Sequence, residues 1–373
     1  MVFKINSTLA AVAVLVGTII GAGFLGIPYM AAKSGFLFAG IQIVLLGAIM
    51  LIINLYLGEI ALRTEGNKQL PGFAEKYLGK TGKVIMLIVL IFDIFASLLA
   101  YTVGVGESLS HLIFSSGAYS VHMSIAFWLF MSFITFFGIK TFKEGEVAGL
   151  FLVGALLISV IVWLAPKINI ANLNYLTPKF FFVPFGTILY ALLSIPAIPE
   201  LERILSRRKN KMKKAIIIGS LIPPIGYFLF TLVLVGTKGS AVPEVATISL
   251  GPVFILLGII TMSTSYLAFA TVMKSMLHYD YKVKKHIAWL VVSLVIINLF
   301  LFATKLSFTF TKILGVTGII SGTMIAILAI LMLEKAKKKG DRIPEYTMPL
   351  NKFIMAIIIL IFLIGAFMNI WKF

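Results

Sequence analysis

Apolar residues along this chain run in long blocks, and the polar ones gather in short connectors between them. The blocks cover residues 7–32, 36–62, 84–112, 121–139, 147–164, 182–205, 215–235, 252–277, 287–303, 308–333 and 353–370. About 20 mostly apolar residues cross a hydrocarbon core of about 30 Å as a helix, so each block reads as one membrane span. The pattern predicts an all-α polytopic membrane protein of about 11 transmembrane helices, a single transmembrane domain over 1–373 without a soluble appendage. The first block, preceded by Lys4, has some features of a secretory leader. It is too long, too interrupted by glycine and followed by too many spans to be read as one.

Composition narrows the class. The chain is 60% hydrophobic and 12% charged, with a mean hydropathy of +1.07, which excludes a soluble globular fold. It has no cysteine, so disulfide frameworks and thiolate metal sites are excluded too. A net charge of +18 would suggest a nucleic-acid partner in a soluble protein. Here most of the 32 lysines and arginines lie before the first block or in the connectors after even-numbered blocks. The positive-inside rule puts those connectors and the N-terminus in the cytoplasm, and an odd number of spans then puts the C-terminus outside. Arg207, Arg208 and Lys209, and likewise Lys337, Lys338 and Lys339, read as orientation anchors, and Trp371 as an interfacial one. The expected setting is a cell (inner/plasma) membrane, with the lipid bilayer and not nucleic acid as partner.

Five spans separate the first helix from the sixth, so the two cross in opposite directions. Any fold that pairs helices one to five (about 7–165) with six to ten (about 182–333) is a five-plus-five inverted repeat, with 353–370 as an extra helix. Those two helices are also the ones the sequence breaks. The first reads Gly17-Thr18-Ile19-Ile20-Gly21-Ala22-Gly23-Phe24-Leu25-Gly26-Ile27-Pro28, and the sixth reads Tyr190-Ala191-Leu192-Leu193-Ser194-Ile195-Pro196-Ala197-Ile198-Pro199. Glycines weaken a helical ladder and prolines remove donors from it. At membrane depth each opened backbone group costs several kcal/mol unless protein, water or a ligand satisfies it. Small residues in the first helix also suit a close helix-packing face, and on its own that segment leaves both readings open. The doubled prolines of the sixth favour a binding site shared by two discontinuous helices. Freed amides suit a carboxylate and freed carbonyls suit an ammonium group or an alkali cation. Together these are the two ends of a zwitterionic amino acid.

With these residues in place, the chain resembles the amino acid/auxin permease family of the amino acid-polyamine-organocation superfamily, and is similar to its aromatic and hydroxy amino acid permeases. The resemblance runs over about 17–333. It is carried by GTIIGAGFLGIPYMAAKSG at 17–35, by Ala100-Tyr101 with Gly104-Val105-Gly106-Glu107, by Ile198-Pro199-Glu200-Leu201, and by Thr264-Ser265-Tyr266-Leu267. It implies the sodium-symporter-like inverted-repeat fold and alternating access. It also implies substrate contacts at Gly21, Ala22 and Gly23 for the carboxylate, and at Tyr190, Ala191 and Ser194 for the amino group, with Tyr101 and Ile195 lining the site. Ile195 and Ala329 depart from the family pattern, and an aliphatic lining of Leu192 and Ile195 hints at an apolar side chain. The implied function is cation-coupled symport of a neutral amino acid, with an apolar or aromatic side chain as the expectation.

Two coupling ions remain open. The resemblance places sodium on the carbonyls of Gly17 and Ile20 and the hydroxyls of Thr264 and Ser265, an all-oxygen set as a hard cation requires; the same hydroxyls otherwise bond back to their own helix. A proton would instead use Asp93, about nine residues or about 13 Å into the third span, where an acid is costly and a functional suspect. No lysine occupies the fifth block, where some sodium-independent relatives place one, which leans towards sodium. No other cofactor is expected. Lys4 and Asp280 form a candidate inner gate, and the 237–250 connector a candidate outer lid. His111, His122, His278 and His286 lie at block ends without a metal-binding pair, which argues against an enzyme. Nor is there a ring-forming acidic filter segment to suggest a channel. A cation-independent amino acid exchanger is the closest rival reading.

Overall fold

The computed structural model describes residues 7–66, 68–137, 142–194, 197–279 and 281–370. The described chain is helical from end to end: α1 (Ser7–Ile19), a 3-10 turn (Ala22–Gly26), α2 (Ile27–Ser34), α3 (Phe36–Leu62), α4 (Leu70–Phe114), α5 (Ser120–Phe137) and α6 (Phe142–Leu164) come first. There follow α7 (Val183–Ala191), α8 (Ala197–Ile204), α9 (Met212–Lys238), α10 (Pro252–Tyr279), α11 (Lys285–Lys305), α12 (Phe310–Thr317), a π-helical turn (Gly318–Gly322), α13 (Thr323–Lys339) and α14 (Lys352–Ile370). No strand occurs among the described residues.

Eight of these helical stretches are long and apolar enough to cross a membrane, or nine when α1 and α2, bent by 42° at their break, are taken as one span. Among the described residues the predicted figure of about eleven is therefore not confirmed. The fifth block falls on α6, whose second half runs with the 3-10 turn after it as a shorter apolar helix, Val153–Lys167. The sixth is split into α7 and α8, each too short to cross alone. The third block begins late: α4 is two helices joined at a kink at Gly79 (φ 76°, ψ −168°), a conformation open to glycine.

Packing places the broken helices in the middle. α9 lies along α1, α2 and α3, while α4 lies along α5, α10, α12 and α13. Between these groups α7 touches α2, α3, α12, the 3-10 turn and the π turn. Burial follows this order: 72% of the most apolar window of Phe310–Lys339 is buried, against 28% for Lys352–Asn369. The last helix presents Phe353, Leu360 and Phe367 outward, as lipid contact requires. Main chains meet where α7 crosses α12 and the π turn. A Cβ on Gly186 would lie 2.3 Å from the Gly315 oxygen, and one on Gly318 2.0 Å from the Gly186 oxygen. Small residues buy this close approach, and it fixes the end of α7 that carries Tyr190.

One end of the molecule is tied by the connector between α13 and α14. Asp341 N donates to Arg63 O (2.9 Å), Arg342 Nη1 to Leu62 O (2.9 Å), and the Tyr346 hydroxyl to Leu55 O (2.7 Å). Met348 N donates to Glu59 Oε2 (2.5 Å). Glu59 is fully buried, and its other oxygen pairs with Arg63 Nε (2.8 Å) and Lys337 Nζ (3.1 Å). A carboxylate this close to the end of a span needs cover or solvent, and the connector supplies the cover.

Candidate functional site

Both central helices open where the sequence weakens them. In the first, the Gly21 amide donates to Ile19 O at 2.8 Å rather than back to Gly17, as a continuous helix would have it. Gly21 is extended (φ −85°, ψ −161°), and the chain resumes as the tight turn Ala22–Gly26, all of it buried. Pro28 then starts α2, a position where a missing amide is harmless. In the second, the ladder ends with Leu193 N on Tyr190 O (3.1 Å) and restarts with Ala197 N on Ser194 O (3.0 Å). Ile195 and Pro196 lie outside the described residues, as do the gate candidates Lys4 and Asp280.

The two openings meet at Tyr227 of α9. Its hydroxyl lies 2.9 Å from Ile19 O and 3.1 Å from Ala191 O, one carbonyl from each broken helix. Its ring stacks on Phe24 of the 3-10 turn, with centroids 5.7 Å apart and planes 8° apart. Nearby, Ser194 donates to Asn54 Oδ1 (2.6 Å), and Asn54 Nδ2 donates to Ser220 Oγ (3.1 Å), which ties the second opening to α3 and α9. The Ser194 hydrogen is thus committed to protein, and its lone pairs are what it offers to a ligand.

A hydrogen-bonded chain runs along the other side. Tyr190 donates to Ser97 Oγ (2.7 Å), and Ser97 donates to the main-chain oxygen of Asp93 (2.7 Å). Tyr101 and Tyr190 hydroxyls lie 3.0 Å apart. Each phenol has one proton, so Tyr101 is the donor in that pair. The Tyr101 oxygen also approaches the Ala22 amide and the Ser265 hydroxyl. Gly23 packs under this chain: a Cβ there would lie 2.7 Å from the Tyr190 ring. Asp93 itself is 5% exposed. Ser321 of the π turn stands opposite its carboxyl, yet neither Asp93 Oδ1 nor Ser321 Oγ finds a hydrogen-bond partner among the described residues.

The structure therefore brings Gly21, Ala22, Gly23, Tyr101, Tyr190, Ala191 and Ser194 to one buried region. Of the sodium candidates, Gly17 lies in the last turn of α1 and Ile20 just after it, while Thr264 and Ser265 lie on α10, which packs against the 3-10 turn. Thr264 donates to Thr261 O at 2.9 Å, the back-bond to its own helix weighed above. Sequence reasoning missed Asn54, Ser97, Ser220, Tyr227 and Ser321. Isolated polar residues inside apolar blocks were the available signal. Towards one end, Glu244 accepts from Thr311 N (3.1 Å) and Oγ1 (2.8 Å), so the connector read as a lid caps the start of α12.

Comparison with known proteins places this geometry. The chain is similar to the solved structure of MhsT in complex with L-phenylalanine, with a TM-score of 0.66 over 96% of this chain and 98% of that one; at 16% identity this speaks for the fold alone. It is 28% identical over 230 residues to the tyrosine-specific transport system 1 of Haemophilus influenzae, and 29% identical over 233 residues to the glutamine transporter 2 of Aliivibrio fischeri. These matches cover 61% and 60% of the chain, and the chain spans 57% and 59% of the length of those relatives. The model of the tryptophan/tyrosine permease family matches residues 4–372. That finding overturns the assignment to the amino acid/auxin permease family. A glycine-opened first helix serves any permease that exposes main chain at mid-membrane, so the 17–35 motif reported a requirement of the fold and not the family. Matched along nearly its whole length and carrying, among the described residues, eight helices long and apolar enough to cross a membrane, the chain is a multi-pass membrane protein that belongs to the tryptophan/tyrosine permease family.

Proposed function

We propose that this chain is a secondary active transporter that carries a neutral amino acid together with a cation by alternating access. The observation that carries the reading is that Ile19 and Ala191, one on each broken central helix, turn their carbonyls to the same buried point. In this reading the amides of Gly21, Ala22 and Gly23 receive the carboxylate. The carbonyls of Tyr190 and Ala191 and the oxygen of Ser194 receive the amino group, and Tyr101 with Ile195 borders the side chain. The opposed breaks support a five-plus-five inverted repeat, and the basic connectors support a cytoplasmic N-terminus. Relatives named for tyrosine and glutamine support a bulky neutral substrate.

Sodium on Gly17, Ile20, Thr264 and Ser265 is the first choice of coupling ion. A proton on Asp93 is the second, favoured by a buried carboxyl oxygen without a hydrogen-bond partner among the described residues. A thermal-shift screen of the purified chain against the twenty amino acids separates these readings, run in sodium and in potassium and at mildly acid and mildly alkaline pH. Ligand at 100 times its Kd stabilises by about 2.7 kcal/mol. Sodium coupling predicts shifts that need sodium and vanish in Thr264→Ala. Proton coupling predicts shifts that follow pH and stop following it in Asp93→Asn. An exchanger would respond to substrate without either dependence and show trans-stimulated uptake. Silence towards every amino acid in all buffers would sink the transporter reading.

A further inference from the structure

Two carbonyl oxygens that converge on one buried point need a positive partner, either hydrogen-bond donors or a cation. Here the partner is one phenol. The Tyr227 hydroxyl has a single proton for Ile19 O at 2.9 Å and Ala191 O at 3.1 Å, so the two carbonyls share it. The group is held firmly: Tyr227 is fully buried, and its ring stacks on Phe24 while Phe24 meets Phe230 edge-on at 5.1 Å. It projects from α9, a helix without a break from Met212 to Lys238. One side chain of an intact helix thus touches the first opening twice, through Phe24 and Ile19, and the second once, through Ala191.

We propose that the Tyr227 hydroxyl is a positioning group that takes the place of an inorganic cation where the two broken helices meet. It keeps both openings in register for the substrate without a further ion. The inference rests on the transporter reading and adds to it: this corner of the site is held by a neutral donor, so any coupling ion acts elsewhere. Removing the hydroxyl while keeping the ring leaves both oxygens facing a small vacated space. A compact monovalent cation could then serve both at once, and the site would become dependent on that ion and gain its charge.

The test uses the full chain in detergent and in proteoliposomes, with tyrosine and glutamine as probe substrates. Sodium or lithium is titrated against N-methylglucamine. Tyr227→Phe is expected to lower substrate affinity at least about tenfold at low cation concentration. Affinity should recover as sodium or lithium rises, with a dependence steeper by about one ion than in the wild type and about one more charge moved per substrate. Para-aminophenylalanine at position 227 restores a donor on the same ring and should return the wild-type cation response; it also decides the matter if Tyr227→Phe does not fold. Unchanged affinity in Tyr227→Phe, a loss that no cation relieves, or a para-aminophenylalanine variant with an altered cation response would each overturn the proposal. A wild-type chain that still shifts with an amino acid leaves the transporter reading standing in all three cases. A wild type that responds to none removes both.

Discussion

At the end covered by the α13–α14 connector, the Glu59 carboxylate has a guanidinium, an ammonium and a main-chain amide as partners, all within 3.1 Å. In the middle of the same helical assembly, two carbonyls share one hydroxyl, and Asp93 Oδ1 and Ser321 Oγ find no hydrogen-bond partner among the described residues. Both regions are buried in an apolar protein, where an unmet polar group costs several kcal/mol. The difference shows what each is built for. A closed set of bonds holds two helix ends and a connector together and offers nothing to a ligand. An open set is unfavourable until something completes it, and that supplies the differential binding a transport cycle needs. The π turn at Gly318–Gly322 fits the second kind, since such turns relax a helical ladder at working sites.

Breaking the closed set gives the largest expected effect. Glu59→Ala leaves Arg63, Lys337 and the Met348 amide without their carboxylate. Losing one partner of a buried ion pair costs about 3 to 5 kcal/mol, to be read from denaturant or thermal unfolding in detergent. Affinity for an amino acid should stay within about twofold, because Glu59 is not part of the open region. A stability loss under about 1 kcal/mol, the range of exposed pairs, would mean that the connector does not close this end.

The open region should answer in reverse, through affinity before stability. Gly23→Ala puts a Cβ 2.7 Å from the Tyr190 ring, so the ring must turn away. Turning it breaks the bonds to Tyr101 and Ser97. We expect a fall in substrate affinity of at least about tenfold, or about 1.4 kcal/mol, with a smaller change in the melting temperature. Calorimetric titration beside a melting curve separates the two. Equal losses in both would erase the distinction drawn between the regions.

The two openings were legible because glycine and proline act on the backbone locally, wherever the rest of the chain goes. Gly21, Gly23 and Pro199 announce a weak ladder from sequence alone, and the apolar blocks announce membrane helices for the same local reason. Tyr227, Asn54 and Ser97 were not legible. Their roles depend on which helices become neighbours, and a lone polar residue in an apolar block has many possible partners. The cover of Glu59 was not legible either, since it comes from residues almost three hundred positions later. The span count is least legible where short pieces meet: α7 and α8 together fill one block, yet neither is a span alone.

Ser194 lies between the two kinds of region, because its proton goes to Asn54 while its lone pairs face the opening. Ser194→Ala removes one hydrogen bond, a change of about 1 kcal/mol in stability. If the hydroxyl oxygen also receives the amino group, affinity falls about fivefold in addition. A stability change without any change in affinity would move Ser194 to the closed set and leave the amino group to Tyr190 and Ala191.

The smallest effect belongs to the exposed edge of the connector and shows how far closure depends on burial. Lys76 and the Glu65 amide both donate to Asp341, and with Lys68 nearby they hold its carboxyl below the usual carboxylate range. A carboxyl whose pKa is lowered by folding contributes stability that is fully present above its unfolded value, about 3.9, and is lost as pH falls through the lower folded value. Asp341→Asn should therefore melt slightly below the wild type at neutral pH, and the gap should close as an acid titration passes below about pH 4. Added salt should narrow it as well, because the pair faces solvent. Glu59→Ala should keep most of its deficit in the same salt. A deficit for Asp341→Asn that persists in acid would assign its role to the hydrogen bond with Glu65 rather than to charge.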